Sequence, residues 1–429
     1  MSLPRCLSAP MSSASTAAPT LLTTPQPAQK IRRGTAAYLR TAWAMFYGGF
    51  ATFVTLYCMQ PLMPALSQEF GITPAAASMS VSASTGALAL ALIPISALAD
   101  RIGRRPIMCA SLFITALLTL AGAFTHDYAH LILIRALLGI SIAGLPAVAM
   151  AYLAEEIDAD SLGLSMGLYI AGNAMGGMCG RLLAAGLTEW MPWREAIMVV
   201  GALSFVLAVL FWRNLPPSRH FHPVTHSPRQ MIAAARSHLT DAGLPWLFVV
   251  SFLLMGCFVS LYNYVGFRLV APPFNLGPAQ LGLVFTLYVV GMGSSTWGGR
   301  LSDRIGRRNV LWMMVAIMLV GMLLTLAANL AVMVIGIGLA TFGFFGAHST
   351  ASSWVGRRAL HTKAMASALY LFAYYLGSSV LGTTTGLAWH AGGWTGVVVL
   401  LSVGLLLALA VSLRLRRLPP LPQSGNPAH

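Results

Sequence analysis

The chain has 429 residues, 57% of them hydrophobic and only 9% charged, with a mean hydropathy of +0.74. Soluble domains carry roughly 25% charged residues, so this composition argues against a water-soluble fold. The net charge of +15 does not point to nucleic acid, because the basic residues form short clusters between long apolar runs, a pattern set by membrane topology.

In chain order, residues 1–41 are rich in Ser, Thr, Ala and Pro and read as a flexible cytoplasmic tail. A transit peptide or a start codon placed too far upstream are the alternatives. A helix needs about 20 mostly apolar residues to cross a ~30 Å hydrocarbon core. Cutting the chain where charge or Pro/Gly clusters interrupt such runs gives twelve spans. Six lie in residues 42–212, near 42–64, 76–99, 106–125, 130–153, 162–187 and 193–212. Residues 213–243 form a polar cytoplasmic linker, whose His220, His222 and His226 lack Cys or acidic companions and read as solvated rather than metal-binding. Six more spans fill residues 244–415, near 245–270, 279–299, 309–328, 330–354, 363–388 and 393–413, and residues 416–429 form a second cytoplasmic tail. With both termini cytoplasmic, every Lys and Arg falls on the cytoplasmic side except Arg135, Arg181, Arg194 and Arg268, as the positive-inside rule requires. The five cysteines have no metal-ligand spacing, so neither a disulfide, a metal site nor any other cofactor is expected.

The two halves repeat one another. ADRIGRR at residues 99–105 recurs as SDRIGRR at residues 302–308, GLYIAGNAMGG from Gly167 aligns with ALYLFAYYLGS from Ala368, and Trp193 aligns with Trp394. Such duplication predicts an all-α membrane protein of twelve transmembrane helices in two pseudo-symmetric six-helix bundles, with a substrate site between them. The loop motif Gly-x-x-x-Asp-Arg-x-Gly-Arg-Arg is complete at Gly299, Asp303, Arg304, Gly306, Arg307 and Arg308. The first copy has Asp100, Arg101, Gly103, Arg104 and Arg105, with Ser96 in place of the leading glycine. Here the chain resembles the major facilitator superfamily, in its drug- and sugar-efflux, proton-antiporter branch. The motif reads as a breakable latch between arginines and acids at helix ends, with Glu155 and Glu156 the expected partners of Arg104. Anchoring to anionic lipid is the alternative.

LILIRALLG at residues 131–139 resembles the superfamily's helix 4 signature, an arginine followed four residues later by glycine. An intramembrane charge is expensive, so Arg135 is expected to face the cavity, with snorkelling to the outer interface or bonding to neighbouring backbone carbonyls as the alternative. Helix 5 carries GNAMGGMCGR at residues 172–181, which resembles the antiporter signature but has Gly177 for the proline and Arg181 for the last glycine. Gly172, Gly176 and Gly180 form a ridge for close helix packing. Arg135 and Arg181 without an intramembrane acid predict an anionic or neutral substrate over a cationic one, unless Arg181 pairs with Glu189 or Glu195.

Helices 1, 5, 7 and 11 supply further cavity candidates: Tyr57, Gln60, Tyr169, Asn173, Tyr262, Asn263 and Tyr374, with Tyr264, Tyr370 and Tyr375 beside them. His348 in helix 10 is a candidate proton carrier, with a neutral, hydrogen-bonded histidine as the other reading. No nucleotide-binding GxxxxGKS sequence is present, which argues against ATP drive. The expectation is a non-enzymatic, functionally monomeric transporter of the bacterial inner membrane. It would exchange protons for a small organic solute by alternating access, with a symporter or facilitator of the same fold as the alternative.

Overall fold

The structure is a computed structural model that describes residues 30–223 and 227–418. The expected tail over residues 1–29, together with Cys6, His226 and residues 419–429, lies outside the described residues. Among the described residues fifteen α-helices form twelve crossings. α1 (Ala36–Tyr57) is followed by a short α2 (Met63–Phe70), then by α3 (Pro74–Ile102) and α4 (Arg104–Ala123). The fourth crossing is split into α5 (Tyr128–Ile142) and α6 (Ala149–Glu156), and α7 (Ala159–Leu187) and α8 (Trp193–Asn214) complete the first bundle. After a linker helix α9 (Pro228–Leu239) come α10 (Leu244–Val270), α11 (Pro278–Leu283), a 3-10 turn (Val284–Leu287) and α12 (Tyr288–Ile305). The last three are α13 (Arg307–Leu324), α14 (Leu330–Arg358) and α15 (Lys363–Arg416), which bends at Gly392 and Gly393 and so crosses twice.

Local chemistry places the breaks. Thr73 caps α3 by accepting the Ala76 amide at 3.1 Å, with Pro74 at the first helical position where its missing N–H is harmless. Asp127 caps α5 in the same way and its repeat counterpart Asn329 caps α14. Pro61 and Pro146 remove a backbone donor and disfavour helix in the residue before them, and both lie in the interruptions after α1 and α5. The spans expected near 42–64 and 130–153 are therefore each broken rather than continuous.

Two further expectations are corrected. The segment read as a free tail docks at residues 30–34: the Ile31 amide donates to the Glu156 carbonyl at 2.8 Å and the Asp158 amide to the Ile31 carbonyl at 3.0 Å. The linker carries a helix of its own. Its Ser227 and Gln230 form a reciprocal capping box that starts α9, and Asp241 then pairs with Arg358 at 2.5 Å. His220 is not solvated, because its ring lies 3.0 Å from a Glu156 carboxylate oxygen and its amide donates to the other oxygen at 2.8 Å.

Twelve crossings put residue 30, the linker and residue 418 at one end of the molecule, called here the terminal end. At the opposite end the two bundles share a single continuous core, in which Val54, Tyr57 and Val81 join Phe258, Tyr262 and Phe285. At the terminal end the first bundle has a separate core of its own, built on Tyr38, Met45, Met108, Tyr152 and Phe211. The described hydrogen bonds between the bundles all join their opposite-end halves: Ser379 to the Ser82 carbonyl at 2.8 Å, Tyr264 to Ser78 at 3.3 Å, and the Ala279 amide to Glu189 at 3.2 Å are three of them. Among the described residues the hydrogen bonds that join the bundles thus lie toward the opposite end, and the first bundle's terminal-end core stands apart from the shared one.

Candidate substrate site between the bundles

Glycine sets the spacing of the wall that carries the site. A Cβ on Gly172, Gly176 or Gly180 of α7 would lie 2.5, 2.2 or 2.6 Å from the carbonyl oxygens of Phe46, Phe50 and Val54 in α1. The backbones therefore touch along three turns. The second bundle repeats this, since a Cβ on Gly377 of α15 would lie 2.0 Å from the Phe252 carbonyl oxygen of α10.

That contact places Arg181 against the end of α1. The Arg181 side chain is among the largest that are fully buried, at 1% exposure. Its Nε donates to Gln60 Oε1 at 2.5 Å and its Nη1 donates to the Gly177 carbonyl. The guanidinium carbon lies 4.2 Å from the Tyr57 ring centre of the first bundle, and 4.6 and 5.6 Å from the Tyr288 and Phe285 rings of the second. No carboxylate pairs with it among the described residues. Glu189, one of the two acids weighed as its partner, instead accepts the Ala279 amide. Gln60 continues across the seam, donating from Nε2 to Asn263 Oδ1 at 2.6 Å and to the Val259 carbonyl at 3.5 Å. Two buried polar atoms beside these groups have no hydrogen-bond partner among the described residues: Tyr57 Oη, on the ring against Arg181, and Asn263 Nδ2, on the partner of Gln60. Such atoms are costly in a membrane interior unless a ligand or water meets them.

Arg135 takes the alternative of its two expected places, bonded to backbone carbonyls. Its Nε, Nη1 and Nη2 donate to the carbonyls of Ser80, Thr55 and Leu56 at 2.6, 2.9 and 2.6 Å. Thr55 and Leu56 belong to the last turn of α1, whose carbonyls lose their helical partners at the break before Pro61. The guanidinium replaces those donors and meets the negative end of the helix dipole. Arg135 thus braces the broken α1 inside the first bundle. Gly139, one turn on, lets α3 approach: a Cβ there would lie 2.1 Å from the Ser84 carbonyl oxygen.

At the terminal end both loop motifs bring an arginine to an acid. Gly103 (φ 117°) and Gly306 (φ 86°) adopt positive φ, which turns α3 into α4 and α12 into α13. Arg104 pairs with Asp100 and with Glu155 at 2.9 Å, while Glu156, also expected as its partner, is taken by His220. In the second copy Arg307 reaches Asp303 at 3.3 Å and Ser353 at 2.9 Å, and Arg304 is exposed. Each latch lies within one bundle.

In the second bundle His348 is hydrogen-bonded through Nδ1 to the Tyr370 hydroxyl at 2.9 Å, with the Tyr374 ring 4.6 Å away and Phe344 stacked beside it. Tyr262 bonds Thr341 at 2.8 Å and is held in the second bundle. Sequence reasoning missed Tyr288 and Phe285, because aromatic residues in an apolar run carry no mark of the 3-10 turn that brings them to Arg181.

The sequence profile of the Major Facilitator Superfamily matches residues 45–272 and 265–429. The chain belongs to that superfamily. It is 45% identical over 392 residues to the inner membrane transport protein YnfM of Escherichia coli, covering 91% of this chain and 94% of that protein. Over 396 residues it is also 45% identical to the MFS-type transporter YybF of Bacillus subtilis, covering 92% and 98%. Among solved structures it resembles a bacterial homolog of the human lysosomal transporter Spinster, with a TM-score of 0.73 at 16% identity over 89% of this chain and 97% of that one. A multi-pass membrane transporter of this superfamily is the identity these matches support.

Proposed function

We propose that this transporter exports a small organic solute, anionic in preference to cationic, from the cytoplasm across the bacterial inner membrane in exchange for protons. The observation that carries the reading is Arg181: a fully buried guanidinium at the seam, held by neutral groups of both bundles, with no carboxylate beside it among the described residues. Placing such a charge in a membrane interior costs several kcal/mol, and an incoming anion relieves that cost. The positive-inside rule favours a cytoplasmic terminal end, and with the ties between the bundles gathered at the opposite end, the site is read as loaded from inside. Rocking the bundles about the site then delivers the solute outward. His348 and the latch acids Asp100, Glu155 and Asp303 are the groups available to carry the coupled proton, and the chain works as a monomer.

The test is proton movement in sealed vesicles containing the purified protein, with organic acids, sugars and cationic drugs added in parallel. Proton release triggered by an organic acid is expected. Solute flux without any proton signal replaces the exchanger with a facilitator of the same fold, and flux of cationic drugs alone refutes the anionic site.

A further inference from the structure

Arg181 has five N–H donors in a planar fork. Its polar neighbours are Gln60, the Gly177 carbonyl and the Tyr288 hydroxyl, so at least two donors have no acceptor among the described residues. The rings of Tyr57 and Tyr288 flank the guanidinium, so the approach left to a ligand is along its edge. An edge-on guanidinium binds a carboxylate through two parallel hydrogen bonds, and surrounding ring faces suit a flat apolar body. The unpartnered Tyr57 hydroxyl, on a side chain only 4% exposed, offers a further polar contact beside it.

The same guanidinium also holds the opposite end shut. Tyr288 and Phe285 belong to the second bundle and meet an arginine of the first, and Gln60 ties Arg181 to Asn263 across the seam. We propose that the free edge of Arg181 is a subsite for the carboxylate of a flat, apolar monocarboxylate, and that Gln60 transmits its occupancy to the gate at the opposite end. The proposal rests on the transport reading above. A carboxylate pairing with Arg181 offsets the charge that attracts the Tyr288 and Phe285 ring faces. It also competes with Gln60 Oε1, and a released Gln60 no longer bridges to Asn263 and Val259. The anion thereby loosens two of the ties that keep the bundles together at that end.

Benzoate is the probe, with benzamide as its uncharged counterpart. The full chain, its cysteines replaced, carries spin labels at Trp190→Cys and Leu387→Cys, two exposed opposite-end positions on different bundles. Benzoate binding with a longer label separation is expected, and no response to benzamide. Arg181→Gln weakens benzoate binding by roughly ten- to a hundredfold, the worth of one charge-assisted bond. Arg181→Lys keeps the charge without the fork and loses affinity in the same direction. Gln60→Glu supplies an internal carboxylate and widens the separation without any ligand. Undiminished benzoate affinity in both Arg181 variants, bound benzoate that leaves the separation unchanged, or a Gln60→Glu protein as closed as the wild type overturns the proposal. Failure of the transport reading is seen separately, as vesicles in which no solute moves.

Discussion

Gly176→Ala tests whether backbone contact between α7 and α1 builds the site. The new methyl would lie 2.2 Å from the Phe50 carbonyl oxygen, against an ordinary C···O contact of about 3.3 Å, so the helices must part by about 1 Å. Backbone cannot rotate away as a flexible side chain does. Overpacking of this kind costs about 1–3 kcal/mol, while alanine in place of glycine returns about 1 kcal/mol of helix propensity. A net loss of about 1–2 kcal/mol is expected. Gly167, in the same helix, is the control: a methyl added there would meet nothing within 4 Å, and Gly167→Ala should be neutral or stabilising. The assay is the temperature of half-inactivation of each purified variant in one detergent. Because α7 carries Arg181 and α1 leads into Gln60, the same separation should lower solute flux in vesicles. A Gly176→Ala protein as heat-resistant as Gly167→Ala refutes the contact.

Three other outcomes follow from the polar contacts. Arg135→Lys should lower the half-inactivation temperature by the equivalent of about 2 kcal/mol or more, since one ammonium cannot span three carbonyls on two helices; wild-type stability would remove its bracing role. A double-mutant cycle of Arg104→Ala and Glu155→Ala should give a coupling of about 1 kcal/mol, and a value near zero would show the latch to be energetically idle. Asp241 lies outside the spans: burial works to raise its carboxyl, but the bonds from Arg358 and the Leu244 and Gly243 amides outweigh it and hold it below the usual 3.8. The unfolded chain therefore binds the proton first, so this stabilisation is full at neutral pH and is lost as pH falls through the folded value. Asp241→Asn should cost about 1 kcal/mol at pH 7, discounted for its partial exposure, and progressively less in equilibrium unfolding as pH falls below 3.8.

The sequence by itself determined the twelve crossings, the duplication and the loop motifs, because apolar length, repeat offset and glycine turns are local properties of the chain. It also marked Arg181 as an unusual charge and the glycine ridge as a packing face. What only the tertiary structure decided is where each donor points. Arg135 and Arg181 carry the same charge on neighbouring helices, yet one closes the broken end of α1 and the other meets rings from both bundles. That difference depends on the break before Pro61 and on the 3-10 turn that delivers Phe285 and Tyr288 from a distant part of the chain. Hydropathy registers side-chain type and spacing, and two arginines in apolar runs look alike until the helices that surround them are in place.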